Sequence, residues 1–219
     1  MTFLDFLFAK KEKSVLGVDI GASCLKVVQL RKERGRAVLE TYGELSLGPY
    51  GGAEVGQATN LSAEQITETL KDLLREAKVT TASCGVSIPH ARSLLTLVEL
   101  PYREDPKEQR TVIELEARKF IPVPMSEVQL DWFIVPKRGP AQLATGEDGR
   151  GDAPTEGDYT SGGKVDVLLV AVHNDELTLL QNIIAGAGLT ASFYEIEIFS
   201  TIRAVVDEPV KPVVILDIG

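Results

Sequence analysis

The chain has 219 residues, enough for one large domain or two small lobes around a real core. Its composition, 44% apolar and 25% charged, is that of an ordinary globular protein. With 23 Lys and Arg against 32 Asp and Glu, the net charge of -9 leaves no electrostatic footprint for nucleic acid, and none is expected as a partner.

Two cysteines, Cys24 and Cys84, make no disulfide framework and read as reduced thiols. With only His90 and His173 beside them, no zinc cluster can be assembled. The opening run Met1 to Lys11 is apolar but shorter than the ~20 residues of a bilayer span. Asp5 interrupts it, and it lacks the basic start and cleavage site of a signal peptide. Two readings stay open for it: a start segment packed on the body, or a short amphipathic foot touching membrane or partner.

In chain order, Val15 to Gly21 is a short apolar run closing on Asp19 and Gly21. Leu25 to Leu30 reads as its return, and Ala37 to Tyr42 follows the turn at Gly35. Three strands on short connections predict an antiparallel meander. Ser62 with Gln65 forms a capping box, and Ile66, Leu70, Leu73, Leu74 and Ala77 then share one helical face. Cys84 to Ile88 predicts a fourth strand. Meander, helix, strand is how RNase H-like α/β domains begin.

A strand from Leu94 to Leu100 follows, stopped by Pro101, and then a helix opened by Asp105 as N-cap, Pro106, and Glu108 as box partner. Strands at Val128 to Val135 and Val165 to Val172 flank a stretch rich in Gly, Asp, Thr and Pro. That stretch has too little apolar surface to offset its ordering entropy, which predicts a mobile hairpin loop over 137–164. A helix from Asn174, with Gly188 as C-cap, leads to a strand at Phe193 to Glu197, a helix at Phe199 to Val206 and a last strand at Val213 to Gly219. The expected division is 1–90 as core, 91–172 as an inserted α+β lobe, 173–212 as core again, and 213–219 as the first strand of a second, truncated domain.

Chemistry concentrates at Asp19-Ile-Gly-Ala-Ser-Cys-Leu-Lys26. A carboxylate at a strand end can hold the water shell of Mg²⁺. Gly21 and the small residues at 22 and 23 let backbone N–H groups approach phosphate oxygens, and Lys26 begins the returning strand. The chain ends on the same pattern, an apolar strand closing on Asp217-Ile218-Gly219. Paired hairpins of this kind are similar to those of the actin-like ATPase superfamily, where each of two domains aims one at a shared nucleotide. Glu197 leads into what looks like that superfamily's first connecting helix, where an acidic or amide residue commonly orients the attacking water. A solvated strand-end carboxylate is the alternative for it. Other apparent motifs fail: Ser161-Gly-Gly-Lys164 lacks Walker spacing, and Asp148 to Asp152 lacks calcium-loop alternation.

Val18 to Leu30 resembles the start of PilM proteins, the actin-like cytoplasmic components of type IV pilus assembly. Glu116-Ala-Arg-Lys-Phe-Ile-Pro-Val-Pro-Met-Ser-Glu-Val-Gln-Leu-Asp131, preceded by Leu97-Val-Glu-Leu-Pro101, resembles a run more particular to that family. The resemblance implies an FtsA-like α/β fold, an RNase H-like actin-type domain with a small inserted α+β lobe. It implies Mg·ATP in an interdomain cleft, held by Asp19, Gly21, Ser23 and Lys26 on one side and Asp217 and Gly219 on the other. Asp19 and Asp217 would serve the metal, Glu197 would be catalytic, and little or no turnover is expected. Cys24 and Ala22 stand where serines are usual. As partners it implies the short cytoplasmic N-terminal peptide of PilN, taken up in a hydrophobic groove between core and lobe, and other inner-membrane pilus components. The protein would then sit in the cytoplasm, peripheral to the inner membrane. A phosphotransferase of the sugar- or acetate-kinase type and an FtsA-like cell-division protein are the competing readings.

Overall fold

The computed structural model describes residues 14–135, 163–206 and 213–216. The opening run, nearly all of the predicted loop, Asp217 and Gly219 lie outside the described residues. Two compact units are present: residues 14–89 with 178–200, and residues 90–177 with the described part of 201–219.

The first unit is built on a five-stranded sheet in the order β3-β2-β1-β4-β8. The meander is β1 (Ser14–Ile20), β2 (Cys24–Glu33) and β3 (Arg36–Ser46), all antiparallel. Two parallel additions follow on the other side of β1: β4 (Ser83–Ile88) and β8 (Thr190–Ile196). Strict alternation sends Leu16, Val18, Ile20, Leu25 and Val27 to the core face. Helix α1 (Ala63–Glu76) carries the expected box: the Gln65 N–H donates to Ser62 Oγ at 3.2 Å, and the Ser62 N–H to Gln65 Oε1 at 2.9 Å. It buries Leu70 and Leu73 against β2 and β3. The helix comes so near that a Cβ on Gly43 would lie 2.9 Å from Leu73 Cδ1. Gln29, 2% exposed, ties the segment that follows this helix to the sheet. Its Nε2 donates to Glu40 Oε2 at 2.6 Å and Thr80 Oγ1 at 2.8 Å, and its Oε1 accepts from the Thr80 N–H.

In the second unit β5 (Ser93–Pro101) and β6 (Val128–Val135) flank the central β7 (Lys164–His173), all antiparallel. Helix α2 (Pro106–Ala117) covers one face, burying Ile113 and Ala117 among Val98, Leu100, Val165, Val167 and Leu169. Arg110 of this helix lies 5.4 Å from the Trp132 ring centroid, a cation–π contact. Asp105 does cap the helix, but its carboxylate accepts from Lys107 N–H at 3.0 Å, the second helical position. The reciprocal box with Glu108 would need the third.

Helix α3 (Asn174–Gly186) is ended by Gly188 at φ +77°, as its sequence predicts. The last helix, α4 (Glu197–Val205), starts two residues before the expected point, and β8 starts at Thr190 rather than Phe193. The added strand residues are polar or small and join only because β4 supplies their ladder, which alternation in the sequence cannot report. The predicted strand from Val213 is not formed at 213–216, where all four side chains are exposed. A strand needs a ladder, and no described strand pairs with these residues. Sheet order, parallel additions and inserted lobe make this an α/β fold of the actin type.

Candidate functional site

The β1–β2 turn is set by backbone geometry. The Gly21 N–H donates to the Cys24 carbonyl at 3.0 Å, and a Cβ on Gly21 would lie 3.0 Å from that same oxygen, so a side chain there would require the turn to shift slightly. The carbonyls of Ala22 and Ser23 accept from the N–H groups of Thr59 at 3.2 Å and Leu47 at 2.8 Å. The two-residue tip is thus held by two later segments of the chain. Ala22 is exposed, and Ser23 is half-buried with its Oγ 3.9 Å from Cys24 Sγ.

Asp19 and Lys26 are direct register partners, so their side chains leave the same face of the sheet, away from the Val18–Val27 core pair. Antiparallel partners of this kind have Cβ atoms about 5 Å apart. Asp19 is half-buried and Lys26 exposed. Glu197 enters from another direction. β1, β4 and β8 are mutually parallel, so Ile20, Ile88 and Ile196 all end at one rim. Glu197 follows Ile196 as the first residue of α4 and is two strands from β1, about 10 Å at ordinary strand spacing. The rim at the carboxyl ends of parallel strands is where open α/β sheets bind ligands. Asp19, Gly21, Ser23, Lys26 and Glu197 therefore share one edge of the first unit; Asp217 and Gly219 lie outside the described residues.

A second feature sits wholly within the second unit, a cavity of about 230 Å³. Leu94 of β5, Ala171 of β7, Val128 of β6 and the Ile121-Pro122-Val123 turn after α2 form its apolar lining. Its polar lining is Arg92, Ser93 and His173. Arg92 is anchored: its Nη1 donates to both carboxylate oxygens of Glu176 at 2.8 Å, and that carboxylate is only 15% exposed. Asn174 Nδ2 donates to the Ser126 carbonyl at 2.8 Å, fixing the end of β7 to the turn before β6. Of the two apolar residues that lead into this turn, Ile121 lines the cavity and Phe120 does not. Arg92, Ala171 and His173 carry no sequence signal, because they reach the cavity only through the β5–β7–β6 pairing.

The thiols behave differently from one another. Cys84 is fully buried, and burial pushes its pKa up to about 11. Such a thiol is inert at neutral pH. No helix among the described residues is long and apolar enough to cross a membrane.

Comparison with known proteins places these features. A family described as type IV pilus assembly protein PilM matches residues 17–143, more than half of the chain. Among solved structures, a PilM–PilN type IV pilus biogenesis complex superposes with a TM-score of 0.64 at 21% identity, over 86% of this chain. The chain spans 49% of that structure's length, about half. The cytoplasmic domain of EpsL, an inner-membrane component of the Vibrio cholerae type II secretion system, matches at TM-score 0.44 and 11% identity over 83% of this chain and 57% of its own, too remote to carry weight. The matched range contains both the β1–β2 hairpin and the turn that lines the cavity, and on that match the chain belongs to the PilM family of type IV pilus assembly proteins.

Proposed function

We propose that this chain is the first half of a nucleotide-responsive scaffold of type IV pilus assembly, which captures the cytoplasmic N-terminal peptide of the inner-membrane protein PilN. The observation that carries the proposal is the half-open cavity beside Ile121-Pro122-Val123, its apolar lining edged by polar groups, within the range matched to the family. Extended peptides bind through backbone hydrogen bonds together with pockets for alternate side chains, and a cavity of about 230 Å³ suits an aliphatic one. A net charge of -9 favours a peptide flanked by basic residues. Recruitment in this way would hold the protein in the cytoplasm at the inner membrane through its partner.

The hairpin rim fits a nucleotide's phosphates. Gly21 makes the tight turn, Ala22 and Ser23 leave its tip open, and Lys26 stands opposite Asp19. Asp19 would hold hydrated Mg²⁺, Lys26 would offset phosphate charge, and Glu197 would position water at the same rim. Mg·ATP, when bound, would supply concentrated negative charge between this rim and a second one carrying Asp217 and Gly219. The chain spans about half the length of the PilM–PilN structure it matches, and by itself it should bind nucleotide weakly at best. In a longer form with both flanks, Asp19→Ala should abolish Mg·ATP binding with the fold intact; unchanged affinity would refute this placement of the site.

Titration of a labelled PilN N-terminal peptide into the chain tests the scaffold reading. Affinity in the micromolar range or tighter supports it, and no binding at millimolar peptide removes it.

A further inference from the structure

The Asp19–Lys26 pair extends one strand further. In the register of β2 with β3, Lys26 stands opposite Glu44, so one row runs Asp19, Lys26, Glu44 across the meander. Val18 and Val27 beside it point to the core, and the row therefore points the other way. Lys26 and Glu44 are both exposed. Directly opposed residues have Cβ atoms about 5 Å apart, so the flexible lysine stem reaches either carboxylate. The second unit shows that reach over a longer diagonal: Lys164 Nζ lies 2.8 Å from Glu99 Oε2, although its register partner is Pro101. Among the described residues neither Lys26 nor Glu44 closes an ion pair, which leaves the ammonium standing between two acceptors.

Charge decides what such a row admits. Two carboxylates flank one ammonium, so the row carries a net negative charge and repels a polyanion. Asp19 is the member suited to hydrated Mg²⁺, and a divalent cation there would turn the row net positive. We propose that, resting on the nucleotide reading of this rim, Glu44 is a specificity-determining residue that competes with phosphate for Lys26 and makes phosphate binding depend on Mg²⁺. Facing a metal-free polyphosphate, Lys26 is drawn back to Glu44 while Asp19 adds repulsion. With the metal present, Asp19 is offset and Lys26 turns to the phosphates. Glu44 thus selects the metal complex without touching the tip that Gly21, Ala22 and Ser23 form.

Inorganic tripolyphosphate, with and without Mg²⁺, titrated into the isotope-labelled full chain tests this by NMR, which reads weak binding at the amides of Gly21, Ala22 and Ser23. Wild type should bind the metal-free form more weakly than the Mg²⁺ form. Glu44→Gln should tighten the metal-free form about three-fold, the scale of one exposed ion pair released, and the Mg²⁺ form by less. Glu44→Asp, which keeps the charge, should stay close to wild type. In about 1 M salt, where the screening length falls to ~3 Å, the gain should vanish, whereas an effect of altered packing would persist. Tip amides that respond while Glu44→Gln binds both forms within about 1.5-fold of wild type overturn the proposal. That result would make Glu44 a charge that only keeps an edge strand from pairing, with the phosphate site left standing. Equal gains for both forms overturn the proposal as well. Tip amides that ignore tripolyphosphate in every variant remove the phosphate site itself, and this proposal with it.

Discussion

Val123 offers the sharpest test of the cavity as a peptide site. It stands between Pro122 and Pro124, whose fixed φ angles hold the turn whatever side chain lies between them. Half-buried on the cavity wall beside Ile121 and Val128, it can be changed without emptying the lobe core. Val123→Asn introduces a neutral amide, so long-range attraction to a basic peptide is unaffected. In the free protein, water in the open cavity hydrates that amide and the lobe stays folded. When an aliphatic peptide side chain enters, the water leaves and the amide keeps no partner. Stranding a polar group in this way costs about 1–3 kcal/mol, equivalent to about 5–150-fold weaker binding. Fluorescence anisotropy with a labelled PilN N-terminal peptide measures the change, circular dichroism checks the fold, and Val123→Ile serves as the apolar control that should bind nearly as wild type. Should Val123→Asn bind within about two-fold of wild type, the ordinary error of additive arguments, the peptide does not enter this cavity and the reasoning fails.

Other outcomes follow from the same structure. Gly48→Ala should lower the melting temperature by several degrees, because the new Cβ would overlap the backbone carbonyl of Glu54; overpacking typically costs about 1–3 kcal/mol. Ser62→Ala should cost about 1 kcal/mol through loss of the capping box, measured by chemical denaturation. Glu64, in the first turn of α1, has its carboxyl held below the ordinary 4.5 by its own backbone N–H and by the Ser62 hydroxyl. A depressed carboxyl stabilises the fold above its unfolded value and loses that contribution as pH falls through the folded one. The Ser62→Ala penalty should therefore shrink in acid below about pH 4.5, and a penalty that grows there would contradict the assignment. Ellman's reagent at pH 8 should titrate Cys24 in the native protein and Cys84 only after denaturation, given the buried thiol's pKa of about 11.

Much of this architecture is legible before any coordinates. Alternation at Leu16, Val18 and Ile20 against Leu25 and Val27 marks two strands with a shared core face, and Ser62 with Gln65 marks the start of α1. These signals are local, written by neighbours in the chain. The start of β8 is not, because Thr190 to Ser192 become strand only when β4 pairs with them. Nor is the failure of 213–216 to form a strand, since apolar content sets a propensity and only a partner closes the ladder. The candidate site divides along the same line. Asp19, Gly21 and Lys26 are visible because one hairpin holds them all, and Ile121 because it lies in a recognisable run. Arg92, Ala171 and His173 become neighbours only through the lobe's sheet, and the anchoring of Arg92 by Glu176, 84 positions away, cannot be read from sequence spacing.

Mapping where the peptide lands is the most direct test of the account. A PilN N-terminal peptide carrying a benzophenone in place of one aliphatic side chain, irradiated with the chain and sequenced by mass spectrometry, should crosslink to residues 91–94, 121–123, 128, 171 and 173. Saturable crosslinks that fall instead on residues 14–89, with the cavity lining unlabelled, would contradict it.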